Sequence, residues 1–334
     1  MPYLILQDYY SSIQDANLQQ VLASVDAYRL TKQATALEEI KSYLVQKYDI
    51  SQEFKETLKY SYTATYNARQ LVYLDADAFS HAGTYALNAV VVYTGNVYYC
   101  KLAVVTPGVF SLTNWTLLGP QYSFYYIPLP YPEFDYTAFY AQDDIVFWEN
   151  KVYTCLKPTV VPIAQQYDTY SKVPFQNQFP GIKVDQWSAG VPYSVSGLWP
   201  TAIPGDFTAW SNVTIYTTGQ RVYFNSIIYQ AQANSTNIEP CTDITKWLPV
   251  SFISGDNRNP QLVELNVHIA IYKLSTRISP RNIPDIWVKN YDDAIKWLKN
   301  AARGNDITAN LPMKQPDQGF RTRWGGHTKQ QNTY

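Results

Sequence analysis

The strongest periodicity in the chain lies between Pro260 and Gly304. Leu262, Leu265, Ile269 and Tyr272 recur at three- and four-residue steps, and Val263, Val267, Ile271 and Leu274 fill the neighbouring stripe, which predicts a buried helix. Ser279-Pro280 ends it. Pro284-Asp285 opens a second helix, with Val288, Tyr291, Ile295 and Leu298 on one face, Lys289, Asp292, Lys296 and Lys299 on the other, and Gly304 as its terminator. Near the N-terminus the same reading predicts a short helix beginning near Asp8, another over 17–23 and a longer one over 25–47, where Leu37, Ile40, Leu44 and Val45 form the stripe. Residues 54–74 are read as a continuation in helix, against their β-branched and aromatic content.

From Phe79 to Val250 the pattern changes to strand-like alternation with an internal repeat. Phe79, Tyr85, Val91, Tyr98 and Trp115 form one copy, Phe134, Tyr140, Val146, Tyr153 and Trp187 a second, and Trp210, Tyr216, Val222, Tyr229 and Trp247 a third. In each copy the first four positions fall at steps of six, six and seven residues. Each copy reads as a β-hairpin with a tight turn such as Asn225-Ser226 or Glu149-Asn150. Cys100 and Cys155 stand two residues after their repeat tyrosines, where the third copy has Ala231, so a small half-buried strand position accounts for them.

Composition narrows the function classes. The 334 residues carry a net charge of −1, which argues against a dedicated nucleic-acid binder. Three widely spaced cysteines give neither a disulfide framework nor a CxxC pair, which suits a reducing compartment. The N-terminus lacks signal-peptide character and no apolar run reaches membrane-spanning length, so no membrane partner is expected. Thirty tyrosines favour a protein that makes surfaces. His81, His268 and His327 lie far apart, and no HExxH, GxSxG or phosphate-cradling glycine loop is present; no catalytic residue, metal site or cofactor is expected.

Two resemblances follow from particular residues. In the third repeat, Trp210, Tyr216-x-x-Gly219-Gln220-x-Val222, Asn225, Tyr229-Gln230-Ala231, Pro240 and Trp247 resemble the short chitin-binding modules attached to bacterial glycosidases. That resemblance implies sugar stacking by Trp210, Tyr216 or Trp247. The competing reading, that so small a module buries these rings as its core, is the stronger one. The first two copies depart from the pattern, with Asn88 and Asp143 where the turn has glycine.

The two ends of the chain, joined across residues 79–250, make a domain of about 140 residues. They resemble the head-tail connector, or adaptor, proteins of tailed bacteriophages. The carriers are Tyr3-Leu4 with Leu6-x-Asp8, Ile40-x-Ser42-Tyr43-Leu44 with Lys47-Tyr48, Leu262-x-x-Leu265-x-x-x-Ile269-Ala270-x-Tyr272-x-Leu274, and Tyr291-x-x-Ala294-x-x-Trp297-Leu298-x-x-x-Ala302-x-Gly304. The resemblance implies a homo-oligomeric ring of about twelve copies beneath the portal, continuing the DNA channel into the tail. Implied partners are the portal protein, tail or neck proteins and, without sequence specificity, packaged DNA; the implied location is the virion portal vertex, after assembly in the host bacterial cytoplasm.

The expected fold is accordingly α+β: an α-helical connector domain interrupted by about three small β modules, plus an extended C-terminal tail. Its divisions are a helical part over 1–78, modules at 79–122, 123–192 and 193–250, a second helical part over 251–304 and a tail over 305–334. In the tail, Phe320, Arg321, Arg323 and Trp324 are anchors for docking on the portal or a neighbouring subunit. Lys314, Arg321, Arg323 and Lys329 are candidates to face DNA. Carbohydrate binding by the β repeats acting together is the alternative function.

Overall fold

A computed structural model describes residues 2–22, 25–51, 53–159, 179–201, 207–243, 245–278, 283–303 and 309–313. The two chain ends meet in one helical cluster. A 3-10 helix (Leu6–Ser11) and α1 (Asp15–Leu22), α2 (Asp26–Leu44), α3 (Pro260–Ile278) and α4 (Asp285–Arg303) supply it. Leu4, Tyr9, Leu18, Leu37, Ile40 and Leu44 from the first end pack with Leu262, Ile269, Leu274, Leu298 and Ala301 from the other. Each fully buried aliphatic side chain here contributes about 1.5–3 kcal/mol. The Asn259 side-chain carbonyl caps α3, accepting from the amides of Gln261 (3.0 Å) and Leu262 (3.3 Å).

The expectation of an α-helical connector domain with small β insertions is overturned. Among the described residues the strands form six separate sheets, against four α-helices. The segment 54–74, read as helix, instead forms β1 (Thr57–Lys59), β2 (Thr65–Asn67) and β3 (Leu71–Tyr73). Its β-branched and aromatic side chains lose rotamer freedom in a helix and pack well on a pleated surface.

The three repeats fold alike. The first has β4 (Val90–Tyr93), β5 (Asn96–Cys100) and β6 (Trp115–Pro120); β7 (Phe124–Tyr126) follows it. The second has β8 (Ile145–Trp148), β9 (Lys151–Thr154) and β10 (Val191–Pro192); β11 (Ser194–Ser196) follows. The third has β12 (Ile215–Tyr216), β13 (Arg221–Phe224), β14 (Ile227–Ala231), β15 (Ser235–Thr236) and β16 (Trp247–Pro249), and β17 (Ile253–Ser254) closes the β part. In all three the hairpin turns through two left-handed residues: Thr94-Gly95, Glu149-Asn150 and Asn225-Ser226. That geometry matches the twist of the flanking strands.

A fourth copy is hidden in four pieces. Tyr60, Tyr66 and Val72 repeat the steps of six and six. Val72 then pairs with Tyr125, as Val91 does with Tyr98, Val146 with Tyr153 and Val222 with Tyr229. Tyr66 lies opposite Val195, as Tyr216 lies opposite Ser235 and Tyr85 opposite Val104. Lys59 pairs in parallel with Tyr73, as Ala78, Glu133 and Ala209 do with Val92, Phe147 and Tyr223. Phe252 takes the place of the repeat tryptophan, its ring meeting Tyr66 edge-to-face at 5.8 Å. Three gaps separate the four pieces, and along the chain each gap contains one complete repeat.

The split copy and the helical cluster are tied by their shared ends: the Thr57 amide donates to Pro2 O (2.8 Å) and the Thr57 hydroxyl to Tyr3 O (2.8 Å). Residues 1–132 with 192–314 form one compact unit, and 133–191, holding the second repeat, belong to another.

Candidate functional site

The aromatic positions of the repeats form four equivalent cores. Tyr85 meets Trp115 edge-to-face at 5.1 Å, Tyr140 meets Trp187 at 5.4 Å and Tyr216 meets Trp247 at 5.1 Å, with interplanar angles of 75°, 71° and 72°. Each of these tyrosine hydroxyls accepts from the amide five residues earlier: Ser80 (2.7 Å), Asp135 (2.6 Å) and Ser211 (2.7 Å). Tyr66 does the same with Ser61 at 2.6 Å. The hydroxyl satisfies the backbone at the start of the module while the ring fills its centre. Burial raises the Tyr140 hydroxyl to about 12, so this group stays protonated at neutral pH.

Of the three residues singled out for sugar stacking, Tyr216 and Trp247 are therefore buried module core. Trp247 is fully buried and donates through Nε1 to Ile238 O at 2.9 Å, and Tyr216 is 5% exposed. Trp210 is half-buried, edge-to-face with Phe224 at 5.5 Å. The ring faces of Tyr216 and Trp247 are closed to a sugar. The position that glycine fills in the third repeat, Gly219 (φ 89°), is left-handed in every copy, at Asn88 (φ 66°), Asp143 (φ 70°) and Arg69 (φ 59°). Asn and Asp tolerate this region, so the turn survives without glycine. Cys100 and Cys155 are buried and donate to Leu102 O and Lys157 O, each at 3.0 Å.

Where the helical cluster meets the split module lies an ionic node that no local pattern along the chain signals. The Arg258 guanidinium, 3% exposed, reaches Asp8 (2.8 Å) and Asp256 (2.7 Å), donates to Tyr3 O at 2.9 Å and lies 4.9 Å from the Phe124 ring centre. Burial would lower its pKa, but the hydrogen bonds it donates to Asp256 and Asp8 overcome that and hold it raised. Glu53 accepts from Tyr3 Oη (2.6 Å) and the Asn259 amide (2.7 Å), and burial raises its carboxyl pKa. Beside this node an open cleft of about 550 Å3 is lined by Glu53, Asn257, Gln261, Trp297 and Asn310 among others. The Arg258 nitrogens are already engaged, so the node functions as a clasp between two substructures.

The docking and DNA-facing candidates Lys314, Phe320, Arg321, Arg323, Trp324 and Lys329 lie outside the described residues, as do Gly304 and His327. His268 sits in α3, and burial lowers its pKa. Among the described residues no three His, Cys, Asp or Glu side chains group to hold a metal ion, and no helix is long and apolar enough to cross a membrane. No protein-family model matches this chain, and no curated protein sequence matches it significantly.

Proposed function

We propose that this chain is a structural, non-enzymatic protein of a tailed bacteriophage: a head-tail connector that forms a ring beneath the portal and presents its β modules to tail or neck proteins. The observation that carries this reading is the meeting of the residues behind the connector resemblance. Although they lie at opposite ends of the chain, Leu4, Ile40, Leu44, Leu262, Leu265, Ile269, Ala294 and Leu298 share one buried core. Tyr291, which leads the most specific of those motifs, stacks on Tyr272 at 4.2 Å and donates to Glu39 at 3.1 Å. Arg258 clasps this helical cluster to the split β module, so buried charge joins the two as well as the continuous backbone does. Such coupling suits a part that joins two larger assemblies.

Carbohydrate binding, the alternative, needs open aromatic faces, and burial of Tyr216 and Trp247 weighs against it. The deciding experiment is a cryo-EM map of the portal vertex of the virus encoding this chain. A ring of this chain under the portal supports the proposal. Density at a fibre tip, or absence from the particle, removes it. Deletion of residues 305–334 is expected to abolish portal binding, and normal binding by that truncation would end the proposed role of Phe320, Arg321, Arg323 and Trp324.

A further inference from the structure

The open cleft beside the Arg258 node is lined by polar groups that the node does not use. Glu53 accepts from the Tyr3 hydroxyl (2.6 Å) and the Asn259 amide (2.7 Å) through one oxygen, Oε1, and its Oε2 has no hydrogen-bond partner among the described residues. Asn257 donates through Nδ2 to Arg69 O at 3.2 Å, and its side-chain carbonyl accepts nothing among those residues. The exposed carboxamides of Gln261 and Asn310 likewise make no hydrogen bond among them. Trp297 of α4 is half-buried; among the described residues it meets no other aromatic ring, and its indole N–H has no partner. These five residues line one cleft of about 550 Å3, a size that suits a small ligand.

The chemistry of these groups selects the ligand. An anion is disfavoured: Arg258 is spent on Asp8 and Asp256, the Asn259 side chain occupies the first amides of α3, and Glu53 adds negative charge. A divalent cation would find a single carboxylate. An apolar ligand would strip water from the carboxamides and return no hydrogen bond. A sugar meets every requirement: it is neutral, each hydroxyl can donate to a carboxylate or accept from an amide or indole N–H, and its C–H face suits an aromatic side chain. We propose that this cleft binds a pyranose sugar, packed on Trp297 and hydrogen-bonded to Glu53 Oε2, Gln261 and Asn310. The site is separate from the β repeats, where the Tyr216 and Trp247 rings are closed, and it does not depend on the portal reading.

The test is saturation-transfer NMR of the full-length chain with glucose, galactose, mannose, N-acetylglucosamine, cellotetraose and chitotetraose. At least one probe is expected to bind saturably. Tighter binding of a tetramer than of its monosaccharide identifies a glycan chain as the source, and equal affinity a free sugar; both support the proposal. Trp297→Ala is expected to weaken binding about tenfold or more. Because that variant removes a half-buried ring, Q261A/N310G is the second: both positions are exposed, and the left-handed backbone at Asn310 (φ 49°) suits glycine. It is expected to weaken binding about fivefold or more, with circular dichroism melting to check the fold. Trp210→Ala, in the third repeat, is expected to bind as the unmodified chain does. Absence of binding by every sugar overturns the proposal, as does binding of N-acetyl-trialanine amide in place of any sugar. Affinity unchanged in Q261A/N310G, or lost in Trp210→Ala, also overturns it. None of these failures touches the portal reading, which the position of the chain in the particle decides.

Discussion

Tyr66 and Phe252 meet edge-to-face at 5.8 Å and 74°, reproducing from distant parts of the chain the tyrosine–tryptophan contact that each continuous repeat makes within a few dozen residues. Phe252 also lies 6.1 Å from Tyr60, at 79°, as Trp115 lies 5.8 Å from Phe79, at 87°. Along the chain, each of the three continuous repeats is thus inserted between two pieces of the split module. Phe252 is half-buried, so Phe252→Ala is expected to cost about 1–3 kcal/mol. Tyr66→Phe, which strips the hydroxyl from the Ser61 amide and carbonyl, is expected to cost about 1–3 kcal/mol. Urea midpoints of the two variants measure both, and a loss in Phe252→Ala no larger than at an exposed site would remove the split module from its central place.

Arg258 and Asp8 pair at 2.8 Å with 3% and 9% of their side chains exposed. Removing one member leaves the other charge buried, so Arg258→Met is expected to destabilise by about 3–5 kcal/mol. Because the node joins the helices to the split module, the melting transition should also broaden or divide, which differential scanning calorimetry would register.

Burial raises the folded-state pKa of the Glu53 carboxyl above its ordinary value of 4.5. A raised carboxyl contributes stability that is fully present below the unfolded value and lost as pH climbs through the folded one. Glu53→Gln keeps an oxygen to accept from Tyr3 and the Asn259 amide without the buried charge. The variant should equal or exceed the unmodified chain in stability at pH 7, with the difference narrowing below pH 4.5. Thermal melts at several pH values decide this; a difference that widens towards acid would contradict it.

Asn266 lies fully buried in α3, and neither of its side-chain polar atoms has a hydrogen-bond partner among the described residues. A buried unsatisfied amide costs about 1–3 kcal/mol. Asn266→Leu, close in size, should therefore raise the melting temperature. A drop in that temperature would mean that Asn266 has a polar partner in the working assembly.

Local order along the chain was enough to determine the helices and the three continuous repeats. The apolar stripe through Leu262, Leu265 and Ile269 needs no knowledge of its partners to specify a buried helix, and the six-six-seven spacing survives because each repeat closes within itself. The role of Trp247 as core followed from the same economy, since a module so small has few other large rings to bury. Tertiary structure alone decided the rest. Val72 finds its partner at Tyr125, while seven residues along stands Phe79, the first residue of the next repeat; no window slid along the sequence joins strands whose loop holds a whole module. Lacking that pairing, residues 54–74 offered only propensity, which is weak beside the ladder to β7 that makes them strands. The Arg258 node was invisible for a related reason: its worth comes from burial beside Asp8, a contact between residues near opposite ends of the chain.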